Sequence, residues 1–267
     1  MSINNNISLF SIHRIFSIAH NTFREAVRDR VLYNLVIFVL LITGSAIFLG
    51  ELTAGQEART IVNLGLSAML IFGAFISIFV GISLVAKEIE KRTVYAIFAK
   101  PVGRGEFLIG KYLGLCLTLL VNVAVMALGI SLALLYVDGT QLVGSVWATA
   151  LLIYFELAIL TAVAILFAGF SSSVLSALLT FFVFIIGHLS AALNQLAESL
   201  GSQAAKILFA GLYYLLPNLS FFSFTANAAY GEVPSFSYIA TAFLYSLVYV
   251  VVVLFVAVFV FSRRNFK

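Results

Sequence analysis

Three places in this chain of 267 residues carry side chains whose types and spacing could do chemistry. Gly105, Gly110 and Lys111 match most of a phosphate-binding loop, G-x-x-x-x-G-K-[ST], in which backbone N–H groups cradle phosphates and a hydroxyl holds Mg²⁺. Position 112 is Tyr, so that hydroxyl is replaced by a bulky phenol, and no strand pattern precedes the loop. The lysine stands at the mouth of an apolar stretch, where snorkelling toward lipid headgroups accounts for it. Nucleotide binding is not expected here. Glu156 and His188 are the second place. Each lies well inside an apolar stretch, where an ionisable group costs at least ~2.5 kcal/mol and marks a pathway or a relay by default. The two could face each other or line a pathway. Equally, Glu156 could be protonated or face a wet crevice, and His188 could donate to a neighbouring helix. The third place is Cys116, the single cysteine, which reads as a small buried apolar residue. Asn63 and Asn122 are weaker candidates, explained by hydrogen bonds between helices. No Ser/His/Asp set, His-rich metal spacing or pair of membrane carboxylates is present. The pattern therefore supports no active site, cofactor or metal in this chain, and it argues against an ion-coupled carrier, which needs a relay.

The elements that would hold these residues are membrane helices. Hydrophobic residues make up 63% of the chain and charged ones 10%, against roughly 25% charged in soluble domains. About 20 apolar residues at a 1.5 Å rise cross a hydrocarbon core of roughly 30 Å. Six stretches qualify: 31–50, 61–86, 112–137, 146–170, 174–197 and 237–262. The expected fold is all-α and polytopic, with a leader over 1–30 and a six-helix domain over 31–267. Within that domain, 87–111 is a polar loop and 198–236 an opposite-side segment of short helices.

Charge placement orients the spans. The N-terminal segment, 87–111 and the C-terminus share one side and hold thirteen of the fifteen Lys and Arg; Arg59 and Lys206 alone fall on the other. The positive-inside rule puts both termini and 87–111 in the cytoplasm. A seventh span through Pro217 would place Arg263, Arg264 and Lys267 outside, against that rule. With charge so distributed, +4 is no nucleic-acid footprint.

Over 7–30 the apolar positions Leu9, Ile12, Phe16, Ala19, Phe23 and Val27 recur every three or four residues. They predict a helix lying on the inner leaflet, restarted at Thr22 by a capping box with Glu25. Gly73, Ser77 and Gly81 form a small-residue stripe, and Gly110 and Gly114 a second, each permitting close helix packing. Ser171, Ser172 and Ser173 leave room only for a tight hairpin between the fourth and fifth spans.

Lys87, Glu88, Ile89, Glu90, Lys91, Arg92, Thr93, Val94, Tyr95, Ala96, Ile97, Phe98, Ala99, Lys100, Pro101, Val102, Gly103 and Arg104, followed by Glu106, Phe107, Gly110, Lys111 and Tyr112, form the segment with a family likeness. An acidic residue, a Thr, an apolar pair, Pro-x-x-Arg and a Gly-Lys opening the third span resemble permease subunits of ABC-2 type transporters. The branch associated with multicopper-enzyme maturation looks most similar. Many members have Gly before the Thr, where this chain has Arg92. The resemblance implies a multi-pass permease of a bacterial or archaeal plasma membrane, working as a homodimer over two separate ATPase subunits that carry ATP and Mg²⁺, with an outer-side accessory protein as a further partner. It implies that 88–100 is a coupling helix seated in an ATPase groove by an apolar side of Val94, Tyr95, Ile97 and Phe98, with Tyr95 and Phe98 as anchors, Glu88 and Arg92 at the rim, and Pro101 ending the helix. The residues agree: a short amphipathic helix with flanking charges suits a groove, and Pro101 with Gly103 stops it. An inner-leaflet helix with no protein partner fits the same pattern. The rival functions are a non-transporting membrane scaffold and, third, a secondary transporter. The apolar spans suit lipids, peptides or hydrophobic cargo alike.

Overall fold

The computed structural model describes residues 3–26, 37–38, 41–42, 44, 55–90, 103–190, 211 and 216–263, and every regular element among them is helical. In chain order the helices are α1 (Ile3–Ala26), α2 (Glu57–Phe75), α3 (Gly81–Glu90), α4 (Arg104–Tyr136), α5 (Val143–Ala168), α6 (Ser173–His188), α7 (Thr225–Ala229) and α8 (Phe236–Arg263). A five-residue π-helix, Ile76–Val80, joins α2 to α3, and 3₁₀ turns stand at Thr140–Leu142 and Leu219–Phe222.

Four of these are long and apolar enough to cross a membrane: Glu57–Val85, Arg104–Tyr136, Thr140–Ala168 and Phe236–Arg263. They match four of the six expected spans, although α4 begins eight residues earlier than the apolar run. The expected first span, 31–50, lies outside the described residues except for a few positions, where Phe38 meets the Phe72 ring edge-on at 6.1 Å. The expected fifth span is described only to residue 190. Its helix, α6, has 16 residues, about 24 Å of length.

α5 is the centre of the bundle. It buries 72% of its apolar window against the protein, where α8 buries 22% and leaves a broad apolar face outward. The α2 stripe explains one close contact with α5. A Cβ on Gly73 would stand 2.4 Å from Leu157 Cδ1, so Leu157 fills the notch that glycine leaves. One turn on, within the π segment, the Ser77 hydroxyl lies 3.2 Å from the Leu157 carbonyl and 2.7 Å from Thr161 Oγ1. Single π turns of this kind are rare interruptions of α-helices.

The connections are tight. Asp138 takes a left-handed conformation (φ 55°) and Gly139 N–H donates to the Leu134 carbonyl, which reverses α4 into α5. Between α5 and α6 the chain needs only Gly169 to Ser172. Ser172 caps α6 by accepting from Leu175 N–H, and the Ser171 and Ser176 hydroxyls stand 2.6 Å apart. The expected hairpin is present. Residues 216–235 form short helices, as expected. They are fastened by an aromatic group of Phe221, Phe222, Phe224, Tyr238 and Tyr245 and by the Ser145 hydroxyl donating to the Ala228 carbonyl.

One sequence expectation is corrected at α1. The helix runs unbroken through Thr22 to Ala26, with no restart. Thr22 is buried because its side chain fills the space above Gly114, where a Cβ would lie 2.6 Å from Thr22 Cβ and 2.5 Å from the Ala19 carbonyl. The face toward the bundle includes Ile15, Ile18, Thr22 and Ala26, while Phe16 is 72% exposed. Gly110 makes the same allowance for Ile18, whose Cβ would be 2.7 Å away.

Candidate functional site

The first two turns of α4 gather three elements at the basic end of the bundle. Gly103 N–H donates to Glu106 Oε2 at 3.2 Å and opens the helix. Arg104 donates to the Ser262 carbonyl at the end of α8. Arg14 Nη1 on α1 stands 3.8 Å from Glu106 Oε2, and Glu25 Oε2 stands 3.6 Å from Lys111 Nζ. Lys111 does not snorkel. It is 4% exposed, covered by α1, with its ammonium 5.8 Å from the Phe107 ring centroid. Burial beneath α1 is possible because Gly110 and Gly114 admit that helix, and Glu25 supplies the opposite charge.

The same turns contain the loop-like sequence. Residues 105–111 are helical, and Phe107 N–H already donates to the Gly103 carbonyl at 3.1 Å.

Glu88 lies in α3, two residues before its end, and nothing of its side chain is described. Arg92, Val94, Tyr95, Phe98 and Pro101 lie outside the described residues. The structure thus places α3 and the start of α4, on either side of the expected coupling segment, and not the residues expected to anchor it.

Glu156 and His188 come together. Glu156 sits about 18 Å along α5 from its Ala168 end, and His188 about 22 Å along α6 from Ser173. Antiparallel helices joined by a short turn bring those depths level, and His188 Nε2 lies 3.3 Å from Glu156 Oε1. Both atoms are buried, and neither has a hydrogen-bond partner. Glu156 is 1% exposed, while a quarter of the His188 side chain is accessible. His188 Nδ1 stands 3.1 Å from the Phe184 carbonyl of its own helix, not of a neighbour, and the two rings are 4.7 Å apart. Beyond His188, α6 ends against the carbonyl of Pro217, which a Cβ on Gly187 would meet at 2.8 Å. There Ser190, Asn218 and Ser220 bond one another, and Asn218 N–H donates to the Tyr245 hydroxyl.

Asn122 also departs from expectation. Its amide donates to the Thr118 carbonyl one turn back in α4, so it bridges no helices through that group. Sequence reasoning missed an apolar groove of about 640 Å³ between residues 75–83 and 173–181, floored by Ile78 and Ile82 and walled by Phe79, Ala177 and Phe181. It also missed both α1–α4 ion pairs; the glycine stripe announced a close partner without saying which.

Residues 16–266 match the family described as ABC-2 family transporter protein. A relative from Stutzerimonas stutzeri, "Probable ABC transporter permease protein NosY", is 27% identical over 146 residues, covering 51% of this chain. The matched stretch spans about half the length of that relative, 51%.

Proposed function

The chain belongs to the ABC-2 transporter family, and from that premise we propose that it is the permease subunit of an ATP-driven transporter, working as a homodimer over two separate ATPase subunits. It carries substrate export or translocation across the plasma membrane, with both termini cytoplasmic. ATP and Mg²⁺ belong to the ATPase, and an accessory protein meets the outer side. The segment 88–100 seats its apolar side, Val94, Tyr95, Ile97 and Phe98, in an ATPase groove, anchored by Tyr95 and Phe98, with Glu88 and Arg92 at the rim and Pro101 as the stop.

One observation carries the reading. The chain leaving that segment enters α4, whose first two turns hold α1 through Arg14–Glu106 and Glu25–Lys111 and hold the end of α8 through Arg104. A push on 88–100 reaches three helices at once, because short charged contacts and glycine-tight packing move together as a body. The family match and the permease relative support the same assignment.

The test is co-purification of the ATPase with variants, beside the amount of inserted permease. Central anchors cost 2 kcal/mol or more when truncated, at least about 30-fold in affinity, whereas exposed rim charges cost little. Phe98→Ala is expected to lose the ATPase and Arg92→Ala to retain most of it. Retention of ATPase and its transport-linked turnover by Phe98→Ala at wild-type levels overturns the docking assignment.

A further inference from the structure

We propose that Glu156 and His188 are a proton-binding site inside the bundle, holding one proton between them that fastens α5 to α6. The argument begins at the far side of the imidazole. A carbonyl oxygen only accepts, so the 3.1 Å contact to Phe184 requires hydrogen on Nδ1. In the neutral ring that leaves a lone pair on Nε2. Nε2 is the atom facing Glu156 Oε1 at 3.3 Å. An ionised carboxylate opposite a lone pair puts two acceptors face to face, in a place where neither has another hydrogen-bond partner. One proton resolves the conflict, whether written on the carboxyl or on the ring, and it belongs to the pair rather than to either residue.

Among the described residues nothing else nearby takes the proton's place. Residues 60–86 of α2 and α3, 112–137 of α4 and 236–262 of α8 contain no Asp, Glu, Lys, Arg or His. Within those ranges and the rest of α5 and α6, the titratable groups are the phenols of Tyr112, Tyr136, Tyr154, Tyr238, Tyr245 and Tyr249 and the Cys116 thiol, none of them a second carboxylate or an amine. Among the described residues no third His, Cys, Asp or Glu joins the pair to make a metal site. His188 is partly accessible, and the hydrogen-bonded string of Ser190, Asn218, Ser220 and Tyr245 begins two residues beyond it. Release leaves two facing acceptors and loosens the end of α6 from α5. This holds whether or not 88–100 is the ATPase dock, so the two readings fail separately.

The test is infrared difference spectroscopy of the full chain in lipid nanodiscs, titrated between about pH 5 and about pH 9. A carboxylic C=O band that shifts in D₂O, disappears in Glu156→Gln and changes its midpoint in His188→Phe is the expected result. Absence of any Glu156-dependent band across that range overturns the proposal. So does a stoichiometric metal ion in the purified wild type that is lost in Glu156→Gln. The wild-type chain offers a check that needs no variant of the pair: with His13 and His20 replaced, ¹⁵N spectra of His188 should show hydrogen on Nδ1. A neutral ring carrying it on Nε2 instead overturns the proposal as well.

Discussion

Lys111 and Glu25 face each other at 3.6 Å across the contact of α1 with α4, one residue from the glycine that lets the helices meet. The ammonium is almost wholly buried while the carboxylate is nearly half exposed, so the pair is a lid held over a buried cation. This contact joins the N-terminal helix to the span that follows the polar loop.

Closing the notch should expel the lid. At Gly114 an added Cβ meets the Ala19 carbonyl, which is backbone and cannot rotate away. Gly114→Ala is expected to destabilise the chain by about 1–3 kcal/mol, as overpacking does, and Gly114→Leu to detach α1 altogether. Fluorescence-detected thermal unfolding measures the first, and protease sensitivity of residues 3–26 the second. An unchanged midpoint in Gly114→Leu contradicts the packing.

Gly73 and Leu157 form a notch and its filling. Gly73→Val is expected to be strongly destabilising alone and partly rescued by Leu157→Ala, with a coupling of about 0.5–3 kcal/mol in a double-mutant cycle. Additive effects would show that the two do not share the space.

The purified chain alone should neither bind nor hydrolyse ATP, because residues 105–111 are helix. ATPase activity in a partner-free preparation, abolished by Lys111→Ala, would refute this.

Topology is open to cysteine labelling in a Cys116→Ala background, which removes one buried thiol. A cysteine at Gly103 should react only from the cytoplasm and one at Glu232 only from outside. A cysteine placed after Arg264 that reacts from outside would demand a seventh span.

Much of this was legible in the order of residues. The spans of α2, α4, α5 and α8 follow from runs of apolar residues long enough for a bilayer, since hydrocarbon tolerates no other backbone arrangement than a hydrogen-bonded helix or a closed barrel. The hairpin at Ser171 to Ser173 follows from a linker too short for anything else. Glu156 and His188 stood out because an ionisable group in an apolar run is costly wherever it points.

Tertiary structure alone decided which faces meet. The sequence shows that Gly110 and Gly114 admit something, but not that α1 enters, turned so that Ile18 and Thr22 face inward and Phe16 outward. That rotation reverses the reading of Thr22 from cap to filler and of Lys111 from headgroup contact to buried cation. The Glu156–His188 pair depends likewise on the depth and rotation of α5 against α6. Such quantities are set by side-chain fit between helices, where apolar residues of similar hydropathy are interchangeable to the eye but not in shape.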